Sequence, residues 1–156
     1  MGLESANYKI LFKSEDLEKI TREIQDTIGA VRIEKNNDSL TSFVLKSDES
    51  LIDFQIIPAD AGGQTRLSLR LALCNPAKSI EIVLSIINVI LSKYDATALD
   101  EAVGKYILKL SELDKKEIRD SFRRRKSDFQ KWFGNFTAPL SADDVFDYIR
   151  EMKREK

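Results

Sequence analysis

Arg66-Leu67-Ser68-Leu69-Arg70-Leu71-Ala72-Leu73 is the stretch whose reading decides the fold class. Its leucines fall on one side and Arg66, Ser68 and Arg70 on the other. A period of two is the pattern of a half-buried strand. The same period recurs upstream. Leu51 to Ile57 sets Ile52, Phe54 and Ile56 on one side. Leu40 to Lys46 contains Phe43, Val44 and Leu45, and Val31 to Lys35 alternates through Val31 and Ile33. Tyr8, Ile10 and Phe12 alternate with Lys9, Leu11 and Lys13. Turn residues separate the later strands: Asn36-Asn37-Asp38, Ser47 to Ser50, and a loop from Pro58 to Thr65 holding Gly62-Gly63. Such short connections predict antiparallel hairpins. Between the first two strands, Ser14 offers an N-cap. Leu17, Ile20, Ile24 and Ile28 then recur at helical spacing, and Gly29 is a stop.

Downstream of Asn75-Pro76 the period changes. Ile80 to Leu91 is apolar on nearly every side, which predicts a helix lying across the sheet and covered in turn. Asn75 reads as its cap and Pro76 as its first-turn residue. Thr97 and Asp100 read as a capping pair for a helix to Leu110, with Leu99, Val103, Tyr106, Ile107 and Leu110 as its apolar set. Asp114 and Glu117 open a further helix carrying Ile118, Phe122, Phe129 and Phe133. Pro139 and Ser141 introduce the last, with Val145, Phe146, Ile149 and Met152. The expectation is one α+β domain over residues 1–156. An antiparallel sheet of about five strands (strand, helix, four strands) occupies residues 1–76. Helices of residues 77–156 cover one face of it.

The 156 residues carry 25 basic and 26 acidic side chains, for a net charge of −1. That balance excludes a strongly basic nucleic-acid protein. The absence of His excludes Ser-His-Asp triads, Cys-His pairs and His-ligated zinc. Cys74 stands alone, so no internal disulfide forms, and an unpaired thiol fits a reducing compartment. The first residues lack the basic and apolar blocks of a signal peptide, and Ile80 to Leu91 is too short to span a bilayer. The expectation is a cytoplasmic protein with no membrane segment and no cofactor.

Arg123-Arg124-Arg125-Lys126, with Trp132 and the phenylalanines around it, is the most conspicuous cluster. Basic groups neutralise phosphates and rings stack on bases. Residues 112–133 nevertheless hold 8 basic and 5 acidic side chains, and four consecutive positions spread around a helix. A solvated or protein-binding face is therefore preferred, and nucleic acid is not expected. Trp132 and Phe133 are expected to dock the helix end on the core. The alternative is an exposed anchor for a partner. Asp143-Asp144-x-x-Asp147 has the letters of the aspartate-rich motif of terpene synthases, but lacks their long all-helical context and second acidic motif. Acids at a helix start also favour the dipole, so no metal is expected.

No pattern marks a nucleophile or a catalytic pair. The sequence points to a non-catalytic cytoplasmic protein-binding domain. Its candidate contacts are Arg123, Arg124, Arg125, Lys126, Trp132, Asp143, Asp144 and Asp147. Bacterial immunity proteins, which inhibit a cognate toxin, share this profile of size, mixed charge and missing chemistry, as do secretion chaperones and adaptors. The alternatives are a regulatory domain binding nucleic acid or a phosphorylated ligand through the basic-aromatic helix, and an enzyme using dispersed carboxylates.

Overall fold

The computed structural model describes residues 5–13, 16–34, 42–47, 50–57, 64–134 and 137–154, with backbone alone for Leu17, Glu34, Asp143, Tyr148 and residues 152–154. Strand β1 (Ser5–Lys13) buries Tyr8, Ile10 and Phe12, as its alternation requires. Helix α1 (Leu17–Ile28) is capped by Asp16, whose carboxylate accepts from the Lys19 N–H at 3.3 Å. The predicted cap, Ser14, lies outside the described residues. Gly29, at φ 66°, ends the helix in the left-handed conformation that glycine adopts at least cost. Strands β2 (Val31–Glu34), β3 (Ser42–Ser47), β4 (Ser50–Ile57) and β5 (Gln64–Ala72) follow. Then come α2 (Ser79–Lys93), β6 (Ala96–Asp100), β7 (Lys105–Ile107), α3 (Glu112–Phe133) and α4 (Ala142–Arg154).

The class is α+β, with one antiparallel sheet in the order β2-β3-β4-β5-β1-β6-β7. It has seven strands where about five were expected. The extra pair, β6 and β7, replaces the helix predicted to reach Leu110. The apolar spacing there suits either period, and a distant partner decides between them. The far edge of β1 is free, and β6 pairs with it from Tyr8↔Asp100 to Phe12↔Ala96. A tight turn then returns the chain. Asp100 Oδ1 accepts from the Ala102 N–H at 2.9 Å, and Gly104 takes φ 73°.

Paired residues across the sheet share a face, so the core is laid in rows. Phe43, Phe54, Leu69 and Tyr8 form one row, and Leu45, Ile52, Leu71 and Ala6 another. Phe43 and Phe54 stack at 5.3 Å. Strand β2 is turned the other way from the apolar reading. Val31 and Ile33 are exposed, while Arg32 lies on the core side, 3.9 Å over the Phe43 ring and 2.9 Å from Glu18.

Helix α2 buries Ile80, Val83, Leu84, Ile86, Ile87 and Ile90 between the sheet and its helical neighbours. It starts three residues later than Asn75-Pro76 suggested, and its N-cap, Lys78, makes no side-chain cap bond. Asn75 is used elsewhere. Its amide accepts from the Leu51 N–H and donates to the carbonyls of Ala72 and Leu140, each at 3.0 Å. Those bonds tie β4, β5 and the segment before α4 into one buried corner. The Cys74 thiol joins them, donating to the Ala138 carbonyl at 3.3 Å. Helix α4 begins on the opposite side of the sheet. Ile52 and Phe54 point into the core, so Asp53 between them points away, and its Oδ2 accepts from the Ala142 N–H at 2.7 Å. Val145 and Ile149 of α4 are buried, but Phe146, predicted to join them, is exposed.

Candidate functional site

Helix α3 carries most of the candidate residues, and its phase against the sheet sorts them. A capping box fixes its start: Ser111 Oγ accepts from the Asp114 N–H, and the Asp114 carboxylate accepts from the Ser111 N–H. Lys105, 2.9 Å away, and the Ser111 N–H hold the Asp114 carboxyl down to about 2. From there Ile118, Phe122 and Phe129 face the core, and Phe133 packs on Phe129 at 5.1 Å. Gly134, at φ 96°, ends the helix.

At about 100° per residue the run from Arg123 to Lys126 wraps almost the whole helix. Arg123 and Arg124 are exposed. Arg123 lies on the α2 flank, where its charge helps hold the Glu81 carboxyl low after the larger effect of the Arg119 hydrogen bond. Arg125 is half-buried, and its Nη2 donates to the Ser5 carbonyl at 2.7 Å. Lys126 does not belong to the contact surface at all. It is 8% exposed, and its ammonium donates to the carbonyls of Leu73 at 2.9 Å and Asn75 at 2.7 Å. Burial pushes the Lys126 amine below its usual range and the neighbouring Cys74 thiol above its own; the ammonium opposes the second shift. The basic run is thus half structural, and two of its four charges are turned to the body of the protein.

Trp132 is 80% exposed, contrary to the docking role predicted for it. Phe129 and Phe133 take that role instead. Trp132 follows Arg125 by seven residues, so it shares the helix side that meets the sheet farther back. Arg125 already reaches Ser5, the first residue of β1. Two turns later Phe129 and Phe133 make the core contacts of α3, and the indole of Trp132, between them in sequence, is left exposed. Along that flank Arg124, Asp128 and Trp132 succeed one another at intervals of four, over roughly 12 Å of helix. Asp128 and Lys131, both exposed, approach to 3.9 Å. The surface is an indole with an exposed guanidinium two turns away that makes no ion pair among the described residues.

The acidic candidates lie on α4. Of Asp143 only the backbone is described. Asp144 is exposed, and its N–H donates to Ser141 Oγ at 3.2 Å. Asp147 is exposed and lies 3.4 Å from Arg150. Among the described residues no three His, Cys, Asp or Glu side chains are grouped to hold a metal, and no helix is long and apolar enough to cross a membrane.

Two features escaped the sequence reading. Val103, Tyr106, Leu108 and Leu113 are exposed around β7, which the reading placed inside a helix. Tyr8 and Asp100, paired across β1 and β6, are both buried. Burial is the largest cause raising both groups, the phenol well above its usual range; the Asp100 charge raises Tyr8 further, and Arg125 lowers both. Asp100 Oδ2 has no hydrogen-bond partner among the described residues. The sequence carries no apolar alternation there, because the buried positions of β6 are Ala96, Ala98 and Asp100. In the three comparisons made, no family model matches the chain, and neither a curated protein nor a solved structure matches it.

Proposed function

We propose that the chain is a non-catalytic cytoplasmic protein-binding domain of the immunity-inhibitor kind, contacting its partner through the C-terminal half of α3. The observation that carries this reading is the exposure of Trp132. An indole held in water on a rigid helix loses hydration cost and little entropy when a pocket covers it, and Trp and Arg are the residues most often found at binding hot spots. Arg124, on the same flank, supplies charge for orientation and partner choice. Asp144 and Asp147 form a second, oppositely charged surface on α4. The cytoplasm is the compartment that a single unpaired thiol fits.

The nucleic-acid reading loses ground. A phosphate track needs cations along one stripe, whereas Arg125 and Lys126 are bound to backbone carbonyls and Arg123 lies on another side of the helix from Arg124. The test is parallel affinity purification from the native host with wild-type, Trp132→Ala and Arg124→Glu baits. A protein recovered in equal stoichiometry by the wild type, and lost with Trp132→Ala, supports the reading. Recovery unaffected by either substitution removes α3 as the contact surface. Binding of single-stranded RNA or DNA at low salt, lost with Arg124→Glu, would replace protein by nucleic acid.

A further inference from the structure

We propose that the outer edge of β7 pairs with the same edge of a second copy of this chain, joining two sheets across a two-fold axis near Tyr106. This inference is independent of the α3 surface. Strand β7 ends the sheet and, among the described residues, is bonded on one side only, to β6. A terminal strand exposes a row of unpaired backbone donors and acceptors that another strand completes.

Charge decides what this edge accepts. Soluble proteins blunt such edges with lysine, and β7 has one, Lys105. Its ammonium is drawn back onto α3, 2.9 Å from Asp114 and 3.7 Å from Glu117. The cation that would repel a second copy is thereby neutralised. In an antiparallel pairing centred on Tyr106, Lys105 falls opposite Ile107 of the other copy, so like charges do not meet. The flanks are apolar instead. Val103, Tyr106, Leu108 and Leu113 are between 46% and 74% exposed, and all lie within eleven residues of sequence around this edge. Of these four, Tyr106 lies on β7 itself, Val103 in the turn before it, Leu108 just after it and Leu113 at the start of α3; on β2, at the other end of the sheet, Val31 and Ile33 are exposed. The β2 edge has fewer of them, so β7 is the stronger candidate.

Size sets the affinity. Four side chains at about 60–120 Å² each offer roughly 250–450 Å² per copy, before any backbone contribution. A stable interface needs about 800 Å² per partner. The dimer is therefore of the weak, transient class and forms only at high protein concentration.

Sedimentation equilibrium from about 1 µM to about 1 mM tests this on the full chain. The wild type should pass from monomer toward dimer mass. Tyr106→Asp and Leu108→Asp, at exposed positions, should weaken association at least about tenfold while keeping the wild-type circular dichroism. Val31→Asp, on the other edge, should leave it unchanged. Tyr106→Cys should form a disulfide-linked dimer under mild oxidation, with buried Cys74 as a silent background. A monomer throughout the range would overturn the proposal. So would a dimer insensitive to Tyr106→Asp and Leu108→Asp, one abolished by Val31→Asp, or open-ended growth through alternating β2 and β7 edges.

Discussion

Lys126→Met is the substitution whose outcome depends most directly on the architecture. The methionine keeps the length and the apolar stem of the lysine but donates nothing. In the native protein the ammonium satisfies the carbonyls of Leu73 and Asn75, at 2.9 and 2.7 Å, where β5 ends and the chain turns toward α2. Each bond to a charged donor is worth about 1.5–3 kcal/mol, and each buried acceptor left unpaired costs about 1–3 kcal/mol. Burying an ammonium carries its own penalty of several kcal/mol, which the substitution removes. The orphaned carbonyls outweigh that relief because nothing else described reaches them. The expected net loss is about 2–4 kcal/mol, which for this length lowers Tm by roughly 5–15 °C. Urea and thermal denaturation, followed by circular dichroism, measure it. Lys116→Met, at an exposed position of the same helix, is the control and should change stability by less than about 0.5 kcal/mol. The pH dependence gives a second check. The folded-state amine titrates below the ordinary lysine value of 10.5, so above the folded value the unfolded chain holds more protons. The stability gap between wild type and Lys126→Met should therefore widen as pH rises through that window toward 10.5. A Lys126→Met protein as stable as the wild type, with a gap flat in pH, would refute the strut assigned to this amine.

Three further outcomes follow from the same structure. Trp132 is the only tryptophan, so intrinsic fluorescence reports on it alone: emission should resemble indole in water, be readily quenched by iodide, and Trp132→Ala should alter stability by less than about 0.5 kcal/mol. Blue-shifted, iodide-resistant emission would return the indole to the core. Asn75→Ala breaks three hydrogen bonds of a buried amide and should cost about 3 kcal/mol by urea denaturation; a loss below about 1 kcal/mol would show that the corner is held without it. Asp114 titrates at about 2 when folded, below its ordinary 3.8, so its contribution is complete above 3.8 and is lost as pH falls toward 2. Asp114→Asn should lower stability at neutral pH by about 1–2 kcal/mol, and the deficit should shrink steadily as pH falls from 3.8 through about 2.

Local periodicity carried much of the architecture. Alternation in residues 5–13 and 64–72, and helical spacing in residues 17–28, are properties of the segments themselves, because one buried face is enough to impose them. The meander β2-β3-β4-β5 was legible for the same reason, since its connections are short. Residues 96–107 were not legible. Leu99, Val103, Tyr106 and Ile107 satisfy a helical spacing, and only the free side of β1, some ninety residues earlier, puts Leu99, Tyr106 and Ile107 in strands with Val103 in the turn between them.

The candidate site divides along the same line. Sequence alone determined that α3 would be helical, that four cations lay within one turn of it, and that no imidazole chemistry was available. Only the tertiary structure decided which charges remain on the surface, because that depends on the rotation of α3 about its axis against the sheet. Lys126 is drawn to backbone carbonyls at the end of β5, and Arg125 to the first carbonyl of β1. Trp132 is exposed for the same reason: the rotation of α3 gives Phe129 and Phe133 to the core and leaves the indole between them in water, and hydrophobicity along a chain does not encode that phase.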